Sequence, residues 1–247
     1  MEISIIWMYI GFLLAAYSVI ANDSIQTLGT FLASNKAHFS WYTLWIAASI
    51  MMVFTISYGW VNYNGDIAYG RLTRIPFQEV QWYHAAAPAV LLLLTRKGVP
   101  VSTTFLVLSA FASFTVLEKM LMKSIVGYGV AALSAYLIWV ILERYINEKK
   151  DHPEHVKFWR VGQWVTSGWL WFAWLQHDMA NIAVFLPRQL ALSDLMMVLF
   201  STVAILGYVF YTGGGRIQEV VINKHGTRFA RSSTIINLVY AFILYFF

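Results

Sequence analysis

The sequence predicts an all-α polytopic membrane protein with inverted-topology repeats, broken helices and a re-entrant-type helical hairpin. Three observations lead there. First, 59% of the 247 residues are hydrophobic and only 12% are charged, against about 45–50% and about 25% in an ordinary soluble domain. Second, the charges are spaced so that long charge-free runs alternate with short polar ones. Third, the same order of features recurs in the two halves of the chain. The composition excludes a soluble globular enzyme, which could not hide so much apolar surface in one core. It also excludes a disordered tail, which needs low hydrophobicity and high charge. With no cysteine, disulfides, thiolate metal sites and cysteine nucleophiles are excluded as well. The net charge of +5 comes from residues scattered between apolar runs and not from one basic face, so no nucleic-acid partner is expected. The 11 Trp, 14 Tyr and 17 Phe suit the aromatic belts of a lipid bilayer.

The elements follow from the charge-free runs, since about 20 apolar residues span a bilayer as a helix. Residues 3–34 form one apolar segment, expected to break at Asn22-Asp23. It lacks a basic leading region, so it is expected to be a retained span and not a removable signal peptide. Residues 41–62 form a full span. Residues 81–117 are two short arms around Arg96-Lys97-Gly98-Val99-Pro100, a hairpin with its tip at 96–104. Residues 124–142 form another span and complete a first repeat, 1–142. The hydrophilic stretch 143–160 reads as a linker; its His152 and His155 lack the acidic or thiolate partners of a metal site. The second repeat, 161–247, holds a segment at 161–187 expected to break at His177-Asp178, a span at 195–212, and an apolar arm at 232–247. No second tip follows that arm, so this repeat is expected to be incomplete at its C-terminus.

The repeat is carried by three correspondences. Ala21-Asn22-Asp23-Ser24-Ile25-Gln26 matches Gln176-His177-Asp178-Met179-Ala180-Asn181; each is followed by a span, then by a glycine-containing loop, Asn64-Gly65-Asp66-Ile67 or Gly214-Gly215-Arg216-Ile217. If 3–34 crosses once and the 81–117 hairpin enters and leaves on one side, loops 35–40, 143–160 and 213–231 share a side. They carry ten Lys/Arg, against five (Arg71, Arg74, Lys119, Lys123, Arg188) on the other. Basic loops stay inside. The linker is therefore expected in the cytoplasm and the N-terminus outside, in a plasma or inner membrane, with the second repeat inverted relative to the first.

Two clusters carry the chemistry. Asp23 and Asp178 are the carboxylates inside apolar segments, where each costs about 2.5–3.5 kcal/mol even on a lenient scale. Asp23 and Gln26, like Asp178 and Asn181, lie three apart and would share a helix face. A carboxylate beside an amide is a hard-oxygen site for Na⁺ or a proton; the competing reading is a polar clamp between helices. At the tip, Pro100 precedes Ser102, Thr103 and Thr104, whose hydroxyls beside free backbone N–H groups suit an anion. A simple Pro-capped turn is the alternative. His84 reads as an interfacial hydrogen-bonder and Glu118-Lys119 as a membrane edge. Met51, Met52, Trp164, Trp169, Trp171 and Trp174 read as packing residues. No nucleophile triad, zinc motif or phosphate-cradling loop is present, so no enzyme activity is expected.

These motifs together resemble the inorganic phosphate transporter (PiT) family of cation-coupled oxyanion permeases, over most of the chain and in the family's order. The first motif is Ala21-Asn22-Asp23-Ser24-Ile25-Gln26-Thr27-Leu28-Gly29-Thr30. The second is His177-Asp178-Met179-Ala180-Asn181, and the tip is Gly98-Val99-Pro100-Val101-Ser102-Thr103-Thr104. The resemblance implies an inverted repeat, a site at the bilayer midplane and transport of phosphate with Na⁺ or H⁺. It implies substrate binding by Asn22, Ser102, Thr103, Thr104 and Asn181, and cation binding by Asp23, Gln26 and Asp178, with no other cofactor. The chain departs from the family at Gln26, at His177 and at Phe105, where the family often has Asn, Asn and His; some members carry sulfate. A short or C-terminally truncated member is expected, completed by dimerisation or a second chain. The competing reading is a non-transporting membrane subunit or regulator derived from such a transporter, or one part of a split one.

Overall fold

The computed structural model describes residues 2–99, 101–146, 156–215, 218–219 and 230–246. Pro100, residues 147–155 of the expected linker with His152 and His155, and Arg216-Ile217 lie outside the described residues. All regular structure among the described residues is helical.

The first apolar segment folds without the expected break. Helix α1 (Glu2–Val19) leads through a π-helical turn (Ile20–Ser24) into α2 (Ile25–Asn35). The result is one continuous helix over residues 3–35. The expected break at His177-Asp178 is absent too, because α7 (Val156–Ala183) runs straight through it. Broken helices are therefore a correction at both motifs, and the reason is where the polar groups go. Asn22, Asp23, Asp178 and Asn181 meet side chains from other elements, so the backbone keeps its own hydrogen bonds. A π-turn is the mildest way to re-aim a few side chains without opening a helix. Helix α7 stops just ahead of Pro187, where a helix loses its next N–H donor.

The remaining helices are α3 (Trp41–Asn62), α4 (Trp82–Arg96), α5 (Thr103–Leu108), α6 (Phe114–Ile146), α8 (Leu192–Tyr211) and α9 (Ala230–Phe246). Among the described residues, three helices are long and apolar enough to cross a membrane: 3–35, 41–62 and 192–211. The last two match the expected spans 41–62 and 195–212. Residues 124–142 lie within α6. Many large apolar side chains face outward, among them Ile3, Ile50, Val61 and Phe200, as they would toward lipid.

The packing pairs α1 with α4, α7 with α9, and α3 with α8; α2 and α3 also lie against α7. Phe12, Met52, Leu91, Trp171 and Phe185 are fully buried between them. Contacts sort the loops to two ends. At one end, Asn35 Nδ2 donates to Gln163 Oε1 at 2.9 Å and Thr234 Oγ1 to the Trp159 carbonyl at 3.1 Å. Lys36, Lys157, Arg160 and Arg231 gather there. At the other end, loop 63–80 meets loop 184–191. Trp60 Nε1 donates to the Leu190 carbonyl at 2.8 Å, and Arg188 Nη2 to the Ile75 carbonyl at 3.1 Å.

The hairpin starts and finishes at this second end. Gln78 Nε2 donates to the Phe111 carbonyl at 3.0 Å, which joins the two mouths. His84 is buried here, a correction to its expected interfacial place. Its Nδ1 accepts the Gln81 N–H at 2.9 Å, capping α4, and its ring stacks on Phe111 at 4.3 Å. The chain reverses at Gly98, whose φ of 76° ends α4. Val99 N–H bonds back to the Leu94 carbonyl at 3.0 Å and Gly98 N–H to the Thr95 carbonyl at 2.9 Å, the pattern of a left-handed helix terminus.

Gly65 holds the two outer loops together. Its carbonyl accepts the Leu190 N–H at 3.0 Å. Its φ is 89°, and a Cβ there would lie 3.1 Å from the Leu190 nitrogen. Gly65→Ala combines left-handed strain with a backbone contact that cannot yield. A loss of about 1–3 kcal/mol is expected, read as a lower unfolding temperature in detergent. An unchanged melt would mean that the loop contact is not held as described.

Candidate functional site

The π-turn points Asn22, Asp23 and Ser24 into the protein, and all three are buried. The hairpin tip reaches them from across the chain. Asp23 Oδ2 accepts from Thr103 Oγ1 at 2.8 Å, and Asp23 Oδ1 from Asn22 Nδ2 at 2.7 Å. Asn22 Nδ2 also donates to the Val101 carbonyl at 3.2 Å. From α7, Asn181 Nδ2 donates to Thr103 Oγ1 at 3.2 Å and to Thr104 Oγ1 at 3.1 Å. Thr103 is thus both donor and acceptor, a single hydroxyl joining the two in-span motifs. The Asp178 carboxyl lies close enough to Asp23 to interact with it directly.

The site therefore holds two buried carboxyl groups side by side. Around them, Asn22 Oδ1, Asp178 Oδ2 and Asn181 Oδ1 are buried without a hydrogen-bond partner. Burying an unpaired anion is costly, and two close together are worse. A bound cation or a proton resolves that, and three unengaged oxygens are hard ligands suited to a small monovalent cation. A small void of about 10 Å³ reaches Asp178, lined by Val19, Ile20, Met52, Trp171 and Thr202 among others. It has room on the order of one water.

The sequence-predicted residues divide accordingly. Asn22, Asp23, Thr103, Thr104, Asp178 and Asn181 come together. Gln26 does not: it is half-buried and makes no hydrogen bond to the site, because the π-turn shifts its register against Asp23. Ser102 is exposed, and its Oγ accepts the Phe105 N–H at 3.4 Å as the cap of α5. The Thr103 proton points at a carboxylate here, so it is not offered to an anion.

Arg71 was legible only as one more loop charge. Its Nη2 lies 3.2 Å from His177 Nε2, which also lies 3.2 Å from the Leu244 carbonyl. This places a guanidinium from loop 63–80 over the residue preceding Asp178. Partial burial lowers the Arg71 pKa from its usual value, and the nearby Asp178 carboxyl opposes that shift. No local signal marks Arg71, because its partner is 106 positions away.

Compared with family models, with curated proteins and with solved structures, the chain matches none.

Proposed function

We propose that this protein is an integral membrane transporter that moves an inorganic oxyanion, phosphate above all, together with Na⁺ or H⁺. The observation that carries this reading is the Thr103 hydroxyl, bonded to Asp23 of the first in-span motif and to Asn181 of the second. A hairpin tip docked between two halves, over paired buried carboxyls, can couple a cation to a movement of the tip. The cation would sit among Asp23, Asp178 and the unengaged amide oxygens. The anion would enter at Ser102, Thr103 and Thr104 only after the tip releases Asp23. Binding a cation at the Asp pair would offset their charge and free the Thr103 proton for an anion oxygen.

The packing supports an inverted repeat and a re-entrant hairpin. Helices α1 and α4 form one pair, α7 and α9 a second, and α3 and α8 make equivalent contacts across the middle. Gly65 and Gly214 each lie three residues past the end of their helix, α3 or α8, and both have positive φ. Both hairpin mouths lie at one end, and the tip lies beside Asp23, 12 residues before the end of α2 at Asn35. That is roughly 18 Å along the helix, about half a bilayer core. The basic end with Lys36, Lys157 and Arg160 would face the cytoplasm. The resemblance to the inorganic phosphate transporter family adds the substrate class, and sulfate competes with phosphate within it.

The second reading is a non-transporting subunit or regulator, and the closed site favours it. Purified protein in liposomes is expected to take up radiolabelled phosphate faster under an inward Na⁺ or H⁺ gradient than without one. Uptake no greater than in empty liposomes under every gradient would reject transport by this chain alone and support the regulator.

A further inference from the structure

Helices α2, α7 and α9 meet along a seam that runs from the Asp pair to the basic end. Asp23 of the π-turn and Thr27, Thr30 and Ser34 of α2 follow one another four, three and four residues apart, which places them on one face. Facing them are Gln163 and Ser167 of α7 and Ser233 and Asn237 of α9. Ser233 Oγ donates to Thr30 Oγ1 at 3.1 Å, and Asn237 Nδ2 to Ser167 Oγ at 2.8 Å. Nearer the basic end, Gln163 Nε2 donates to Ser34 Oγ at 2.6 Å. The seam is therefore a continuous polar file through the bundle, whereas Ser18, Ser49, Thr55 and Thr202 are buried polar residues outside it.

A structural clamp would pair all its polar groups. This file does not. Ser24 Oγ and Thr27 Oγ1 are buried without a partner, in the stretch next to the Asp pair. A buried hydroxyl on a helix usually escapes this by bonding the carbonyl four residues back. Thr55 does so to Met51 at 2.7 Å, Thr202 to Val198 at 2.8 Å and Thr234 to Ala230 at 2.7 Å. Thr27 and Ser24 forgo that bond, as Ser49 of α3 and Thr95 of α4 do outside the seam, but only Thr27 and Ser24 lie beside the Asp pair. Each unpaired buried group bears an uncompensated desolvation penalty, unless water or an ion reaches it.

We propose that the α2–α7–α9 seam is a route for water and a small monovalent cation between the Asp pair and the basic end, closed here by the Thr30–Ser233 and Ser34–Gln163 contacts. Hydroxyl and amide oxygens at close spacing replace part of a cation's hydration shell. The identity of the passing ion rests on the transport reading above, but the existence of a wet route does not.

The absence of cysteine gives a clean test. Single variants Thr27→Cys, Thr30→Cys and Ser34→Cys keep nearly the native volume. Leu28→Cys, on the wall of the apolar cleft between α2, α3 and α7, and exposed Asn62→Cys are the references. Each is reconstituted in liposomes and treated with a small cationic methanethiosulfonate. A route open in about 10% of molecules labels about tenfold more slowly than an exposed thiol, yet to completion. Cysteines at 27, 30 and 34 are expected to behave so and to be slowed further by saturating Na⁺ or by acid, while the cysteine at 28 stays unlabelled. Positions 27, 30 and 34 as inert as 28, in monodisperse protein, would overturn the route. Labelling without any phosphate uptake would instead remove the transport reading and leave the route standing.

Discussion

Asp23→Asn is expected to reduce gradient-driven phosphate uptake to that of empty liposomes while the protein remains folded. Asn fills the same volume, and its Oδ1 can still accept from Thr103 as in the native 2.8 Å contact. What it loses is the charge. Its amide nitrogen also replaces Oδ1, the acceptor for Asn22 Nδ2 at 2.7 Å, so two donors would face each other. The pair of buried carboxyls would then hold one negative charge at most, and the drive to bind a coupling cation would fall with it. Removing one of two adjacent buried charges relieves repulsion, so unfolding in detergent is expected near the wild-type temperature. Initial uptake rates under an inward Na⁺ gradient, compared at equal reconstituted protein, decide the matter. Uptake at the wild-type rate would remove Asp23 from the cation site.

Thr103→Val is expected to have the second largest effect, by a different route. Valine keeps the shape of threonine and deletes the hydroxyl that joins the two motifs. Asp23 Oδ2 loses a donor, and Asn181 Nδ2 loses its 3.2 Å acceptor, keeping only Thr104 at 3.1 Å. Leaving a buried carboxylate oxygen unpaired costs about 1–3 kcal/mol or more. Each 1.4 kcal/mol is about a factor of ten in an equilibrium, so the docked tip becomes a minor state. Uptake is expected to fall at least about tenfold by the same conversion. Thr103→Ser restores the hydroxyl and should recover most of the activity. Equal loss in the serine and valine variants would point to packing at the tip and remove the bridging role of the hydroxyl.

The spans at 41–62 and 195–212 were legible because hydropathy is a local property: a charge-free run of that length has few other places to go. The same holds for Asp23 and Asp178, since a carboxylate inside such a run stands out without any knowledge of its partners. The sorting of Lys36, Lys157 and Arg160 to one end agrees with the loop count for the same reason. His84 and Arg71 were not legible. One is buried by stacking on Phe111, the other reaches His177, and neither of those partners is close in sequence.

The expected helix breaks show where local reasoning stops. Asn22-Asp23 and His177-Asp178 look like interruptions because polar groups in an apolar segment need satisfaction, and unwound backbone is one way to provide it. The fold provides another. Polar groups 77 to 80 positions apart, three side-chain pairs and the Val101 carbonyl, satisfy one another across the hairpin, so α7 stays intact and the first helix needs only a π-turn. The sequence by itself determined that the chain is helical, that the segments 41–62 and 195–212 are long and apolar enough to cross a membrane, and that two carboxylates lie within its apolar segments. Only the tertiary structure decided that those carboxylates face each other under one threonine, that Gln26 and Ser102 stand apart, and that the hydroxyls of α2 line a seam. The physical reason is that burial depends on composition, which is read locally, whereas hydrogen bonds need a particular partner at about 3 Å, and the chain alone does not say which.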